Sequence, residues 1–215
     1  YLGMKPERNN IEIFKKNLIR LLNSVDEIER EENQKNHIRD FLRDTFYRDT
    51  NEINTKDTID LAIHLGSSNK DKVGVIIEAK RPSNKIEMIT KENLNVKSLQ
   101  ELVLYYLRER IINNNLEIKN LIITNVYEWY IFDSILFEKN FAQNKELVKL
   151  FIDFEEKRLS GKDTSFFYTE IAYKFIEENI DNLQYTYFHI NDYEVALRNT
   201  DNKDDTILIS LYKLL

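Results

Sequence analysis

The stretch Thr58–Pro82, TIDLAIHLGSSNKDKVGVIIEAKRP, constrains this chain more than any other, because it reads as two strands and a polar turn with charges on the strands. Side chains alternate along a strand, so Val73, Val75, Ile77 and Ala79 are expected on one face, with Gly74, Ile76, Glu78 and Lys80 on the other. In the preceding strand Ile59, Leu61 and Ile63 form the apolar face and leave Asp60, Ala62 and His64 opposite. A hairpin symmetric about Asn69 sets Asp60 across from Glu78, and directly opposed Cβ atoms of an antiparallel pair are about 4.5–5.5 Å apart. Two carboxylates that close repel each other, so a shared proton, a neighbouring lysine or a bound divalent cation must offset the repulsion.

Lys80 is one such partner and a metal the other. A hard cation such as Mg2+, for which Mn2+ can substitute, takes oxygen ligands from one or two carboxylates and leaves other positions to water and substrate phosphate. Asp60, Glu78 and the backbone carbonyl of Ala79 suit it. A metal held there polarises a phosphoryl oxygen, and Lys80 positions a nucleophile or stabilises charge on the phosphorus oxygens. The chemistry this spacing favours is metal-assisted phosphodiester hydrolysis.

Asp60 followed by Glu78-Ala79-Lys80 resembles the PD-(D/E)XK signature of the restriction-endonuclease-like superfamily, with Ile59 in place of the proline. The runs FLRDTFY, VGVIIEAKRP, LQELVLYYLRER, NLIITNVYEWYIFD and DFEEKRLSGKDTSFFY look like the amino-terminal nuclease region of type IIG restriction-modification enzymes of the Eco57I-like kind. That resemblance covers nearly the whole chain. It implies a restriction-endonuclease-like core and cleavage of duplex DNA. Methyltransferase and specificity regions are expected in the same full-length chain, with a transient dimer for cutting both strands. It also implies that a helix ahead of the sheet supplies a glutamate to the metal region. Glu31, seven residues before Ile38, is the candidate, against the alternative of a solvated acidic turn.

Along the chain, Ile11–Asn23 and Asp26–Tyr47 have helical apolar spacing, and 51–56 reads as a loop or weak edge strand. Asp57 is assigned to the turn before the hairpin. Asn95–Asn113 is expected to be a helix buried against the sheet. On it Gln100 is a candidate site residue, since a buried glutamine needs hydrogen-bond partners; a core amide is the alternative. Related nucleases carry a glutamine and a tyrosine one helical turn apart at this place, which Gln100 matches only in part, with leucine at 104 and Tyr105 one residue further on. Glu117–Thr124 and Glu128–Ser134 read as consecutive strands whose aromatics, Trp129 among them, are assigned to the core rather than to base stacking.

The expected class is therefore α/β, with a mixed sheet flanked by helices and a helical C-terminal extension. Residues 1–140 are assigned to the nuclease core and 141–215 to the extension, a connector toward a missing methyltransferase region. Within the extension Leu183–Ile190 is expected to be a short strand. The final ILISLYKLL, after NTDNKDD, is expected to pack on something further along.

The chain of 215 residues carries 37 acidic and 31 basic side chains, a formal charge of −6 that disfavours nonspecific nucleic-acid binding. From Leu65 to Arg110, however, nine basic residues face six acidic ones, so the candidate site lies in the least acidic part. No cysteine is present, which excludes disulfides and thiolate zinc sites, and no apolar run spans a bilayer or marks a leader; a cytoplasmic protein is expected. Gly3, Gly66, Gly74 and Gly161 form no phosphate-cradling loop, and His37, His64 and His189 are too dispersed for a zinc triad. His64 shares the site face and is read as a solvated histidine at a strand end. Two rival functions remain beside the DNA endonuclease: an interaction or scaffolding module whose carboxylates are a structural ion-pair cluster, and a nuclease acting on RNA or single strands.

Overall fold

The computed structural model describes residues 6–199 and 205–215. Gly3 and most of the NTDNKDD segment lie outside the described residues. A six-stranded sheet is ordered β1 (Ile53–Lys56), β2 (Ile59–His64), β3 (Val73–Ala79), β4 (Asn120–Thr124), β5 (Glu128–Asp133), β6 (Thr186–His189). All neighbours are antiparallel except β3 and β4. Parallel neighbours cannot be joined by a tight turn, and here helix α3 (Lys97–Leu107) makes the crossover. The fold is mixed α/β.

Helices cover both faces of the sheet. On one side α1 (Arg8–Ser24) and α2 (Glu31–Leu42) bring Phe14, Leu18, Ile38 and Phe41 against Leu61, Ile63, Ile77 and Trp129. On the other, α3 brings Leu99, Leu102, Val103 and Leu104 against Ala62, Ile76, Leu121 and Tyr130. With both faces covered, β2 is buried at every position, which explains an apolar run that alternation alone would half expose. Trp129 is fully buried and donates its indole N–H to the Val126 carbonyl, as a core residue should.

The β2–β3 register pairs Leu61 with Ile77, Ala62 with Ile76 and Ile63 with Val75, and then shifts so that His64 pairs with Val73. Carried one residue toward the open end, it sets Asp60 opposite Glu78. The bulge at Gly74 turns Val73 to the α3 side with Ile76, rather than to the side of Val75, Ile77 and Ala79. A Cβ at Gly74 would meet Leu65 Cδ2 at 2.6 Å, so a larger residue there would have to push the half-exposed Leu65 side chain aside. Ile59 likewise packs on the α3 side, away from Leu61 and Ile63, where the β1–β2 pairing is irregular. Asp57, with φ of 51°, sits in the β1–β2 turn as expected.

After β5 come α4 (Ser134–Phe137), α5 (Lys145–Glu155), α6 (Thr164–Phe166) and α7 (Tyr173–Asn179), with α8 (Glu194–Arg198) and α9 (Thr206–Leu214) beyond β6. Asn144 and Asp163 cap α5 and α6 by accepting backbone N–H groups. The division at 140/141 is not a break in packing: Phe151, Phe167 and Phe175 share one core with Leu104, and β6 extends the common sheet. The final apolar stretch is covered in part from within: Leu208 and Leu211 of α9 are fully buried against the α1 layer and the Tyr212 and Phe14 rings meet edge-on at 5.5 Å, while Ile207 and Leu214 stay exposed.

Candidate functional site

At the end of the sheet where β2 begins and β3 finishes, Asp60, Glu78 and Lys80 are all buried. Asp60 Oδ2 accepts the Ala79 backbone N–H at 3.0 Å, which ties the aspartate across to β3. In extended backbone the N–H and C=O of one residue leave on the same side, so the Ala79 carbonyl faces β2 as well. Lys80 Nζ lies 2.6 Å from Glu78 Oε1 and 2.6 Å from Glu101 Oε2. Glu78 Oε2 is buried without a hydrogen-bond partner.

Burial pushes the Glu78 carboxyl well above its ordinary range, and the charges of Asp60 and Glu101 add to this against the pull of Lys80. Burial works the other way on Lys80, but the Glu78 and Glu101 charges outweigh it and hold the ammonium ionised. In this arrangement the ammonium form of Lys80 is the favoured one.

Glu101 is a member of this cluster that sequence reasoning missed. It follows Gln100 on α3, and Tyr105 lies four residues on, on the same helical face. The Tyr105 phenol is pushed far above its usual pKa by burial and by the Glu78 and Glu101 charges, so it too faces the cluster. Leu104 packs in the core instead. The Gln100 amide is turned to Asn95, donating to Oδ1 at 3.1 Å. The helix thus presents Glu101 and Tyr105 one turn apart, a register one residue beyond Gln100 and Leu104. Tyr168, from the segment read as a connector, is raised to about 12 by burial and the Glu101 charge.

The second unforeseen residue is Lys35, whose ammonium is 2.6 Å from Asp60 Oδ1. It lies one turn after Glu31 on α2. Glu31 does reach the site: burial raises its carboxyl, Lys80 opposes and Asp60 adds to the rise, and the Arg81 backbone N–H faces it. Two other expectations change. His64 is fully buried at the far end of β2, with Nδ1 at 2.6 Å from the Asp71 carbonyl and Nε2 at 3.0 Å from Asn54 Oδ1. It is a structural residue of the hairpin, not a solvated one. Within the basic stretch, Lys97, Arg108 and Arg110 pair with Glu87, Glu155 and Glu138, so much of its positive charge is already neutralised.

A family model described as a domain of unknown function, DUF7149, matches residues 1–215. The chain belongs to this family. No curated protein and no solved structure matches it. For this DUF7149 domain, function has to be argued from the site itself. The carboxylates of Glu31, Asp60, Glu78, Glu87 and Glu101 outnumber the ammonium groups of Lys35, Lys80 and Lys97 around them. Among the described residues no group of three His, Cys, Asp or Glu side chains is arranged to hold a metal, and Lys35 and Lys80 stand on the Asp60 and Glu78 oxygens. The donors are nonetheless all hard oxygens, one of them orphaned, which fits Mg2+ or Mn2+ rather than a softer ion.

Proposed function

We propose that this domain is a divalent-metal-dependent deoxyribonuclease that hydrolyses phosphodiester bonds of duplex DNA, as the nuclease part of a restriction-modification enzyme. The observation that carries the reading is the convergence of Asp60, Glu78 and Lys80 at one sheet end, with Glu78 Oε2 buried and unpartnered. Glu31, on the helix ahead of the sheet, feels the charges of Lys80 and Asp60, which supports giving it a place at the margin of the site.

Asp60, Glu78 and the Ala79 carbonyl would hold the ion, with Glu31 at its margin. Bound there, it would supply Lewis-acid polarisation of a phosphoryl oxygen and acidification of an attacking water. Lys80, fixed as a cation between Glu78 and Glu101, offers its charge to the phosphoryl oxygens as the P–O bond to the leaving group breaks. Glu101 orients Lys80, and Tyr105, one helical turn on, closes the α3 side of the site. Gln100 contributes only by leaving Asn95.

The test is Mg2+-dependent cleavage of duplex DNA by the wild type and by Asp60→Asn, Glu78→Gln and Lys80→Met, each checked for folding by circular dichroism. Lost cleavage with retained folding supports the reading. A second reading, a structural ion-pair cluster in an interaction module, draws on the two lysines that already sit on the carboxylates. It predicts no Mg2+-dependent cleavage by the wild type and no effect of Mg2+ on its stability. Cleavage of RNA or single strands in preference to duplex would redirect the substrate assignment.

A further inference from the structure

Asp60 and Glu78, opposed across the hairpin, are unequally occupied. Both Asp60 oxygens are engaged, Oδ1 by Lys35 at 2.6 Å and Oδ2 by the Ala79 N–H at 3.0 Å. Glu78 has one oxygen on Lys80 and the other buried with no partner, in a residue only 1 % exposed. A buried polar oxygen without a hydrogen-bond partner is costly to keep, and it is the ligand position still open on Glu78. A cation that enters beside Glu78 Oε2 and takes Asp60 as its second ligand meets the Lys35 ammonium on Oδ1, and two cations that close repel each other.

The two lysines differ in how readily they move. Lys80 is clamped between two carboxylates at 2.6 Å each and its side chain is 3 % exposed. The Lys35 side chain is 16 % exposed, and a second acceptor, Glu32 Oε2, stands 3.7 Å away on a side chain that is 66 % exposed. The flexible four-carbon stem lets the ammonium swing from Asp60 to that rim position without leaving its helix.

We propose that Lys35 is a displaceable counter-ion that sets the divalent-cation affinity of the Asp60–Glu78 site, yielding Asp60 Oδ1 to the incoming ion. This rests on the metal-site reading above. Until the ion arrives, Lys35 holds the aspartate in place and the site stays neutralised. The ion must then compete with an intramolecular ammonium, which tunes the affinity downward and makes the site reversible.

The experiment is Mn2+ titration of the folded chain, free Mn2+ being followed by electron paramagnetic resonance, for the wild type, Lys35→Met, Lys35→Gln, Lys35→Arg and Asp60→Asn. Lys35→Gln keeps a hydrogen-bond donor for Asp60 and guards against misfolding of the methionine variant. Removal of the competing charge is expected to tighten Mn2+ binding by about tenfold or more, the ratio set by about 1.4 kcal/mol. Lys35→Arg should bind as the wild type does, and Mn2+ should raise the melting temperature of Lys35→Met more than that of the wild type. If Asp60→Asn abolishes binding while Lys35→Met and Lys35→Gln bind no tighter than the wild type, the role of Lys35 is refuted and the metal site stands. If neither the wild type nor the Lys35 variants take up Mn2+, both fall together.

Discussion

Replacing Lys80 by methionine removes the cation shared by Glu78 and Glu101 and leaves two carboxylates facing each other in the interior. Breaking a buried pair by removing one partner typically costs about 3–5 kcal/mol. For a chain of this size about 1 kcal/mol shifts the melting temperature by about 2–4 °C, so the variant should melt roughly 6–20 °C lower at pH 8. The loss should shrink on acidification. Glu78 already has a raised pKa, from burial first and then the Asp60 charge, and without Lys80 it rises further. A carboxyl raised in the native state binds a proton that the unfolded chain lacks. Its contribution is fully present below the unfolded value and is lost as pH rises through the native one. Only the extra rise that follows loss of Lys80 separates the variant from the wild type, so acidification from pH 8 to pH 5 should narrow the deficit. Urea denaturation followed by circular dichroism at both pH values measures this. Equal stability of the variant and wild type at pH 8, or the same deficit at both pH values, would refute the buried ion-pair account.

The remaining expectations concern other parts of the molecule. Asp44 is held down to about 2 by its hydrogen bonds to Arg20, Arg43 and Arg48, which outweigh its burial, so its contribution should be present above the ordinary aspartate value of 3.8 and fade as pH falls toward 2; Asp44→Asn should flatten that limb in an acid titration of stability. Leu211→Ala should cost about 2–5 kcal/mol by chemical denaturation, because α9 packs in the same core as α1. If Glu101 and Tyr105 form the helix face of the site, Glu101→Gln and Tyr105→Phe should lower Mg2+-dependent cleavage more than Gln100→Ala does, as read in initial rates on duplex DNA.

Much of the fold could be read from local pattern. The symmetric placement of a polar turn anticipates a register that pairs Leu61 with Ile77, and the Val/Ile-rich segments 120–124 and 128–133 form strands as read. The sidedness of Val73 was not legible, because a bulge resets alternation without leaving more than a glycine in the sequence. Lys35 and Glu101 were invisible for a different reason. Each looks like an ordinary surface charge on its own helix, and only the packing of α2 and α3 from opposite layers onto one sheet end brings them to Asp60 and Lys80. Gln100 attracted notice as the polar break in an apolar face, whereas the residue beside it carries the contact. His64 looked solvated because its partners, Asn54 of β1 and the Asp71 carbonyl of the β2–β3 turn, come from separate parts of the chain.

The central claim is that Asp60 and Glu78 share one divalent ion. A crystal of the domain equilibrated with millimolar Mn2+, measured for anomalous scattering, tests it most directly. The account predicts a peak between the two carboxylates, within reach of the Ala79 carbonyl and with the Lys35 ammonium moved off Asp60. Anomalous density only at other places, with Lys35 still seated on Asp60 Oδ1, would contradict it.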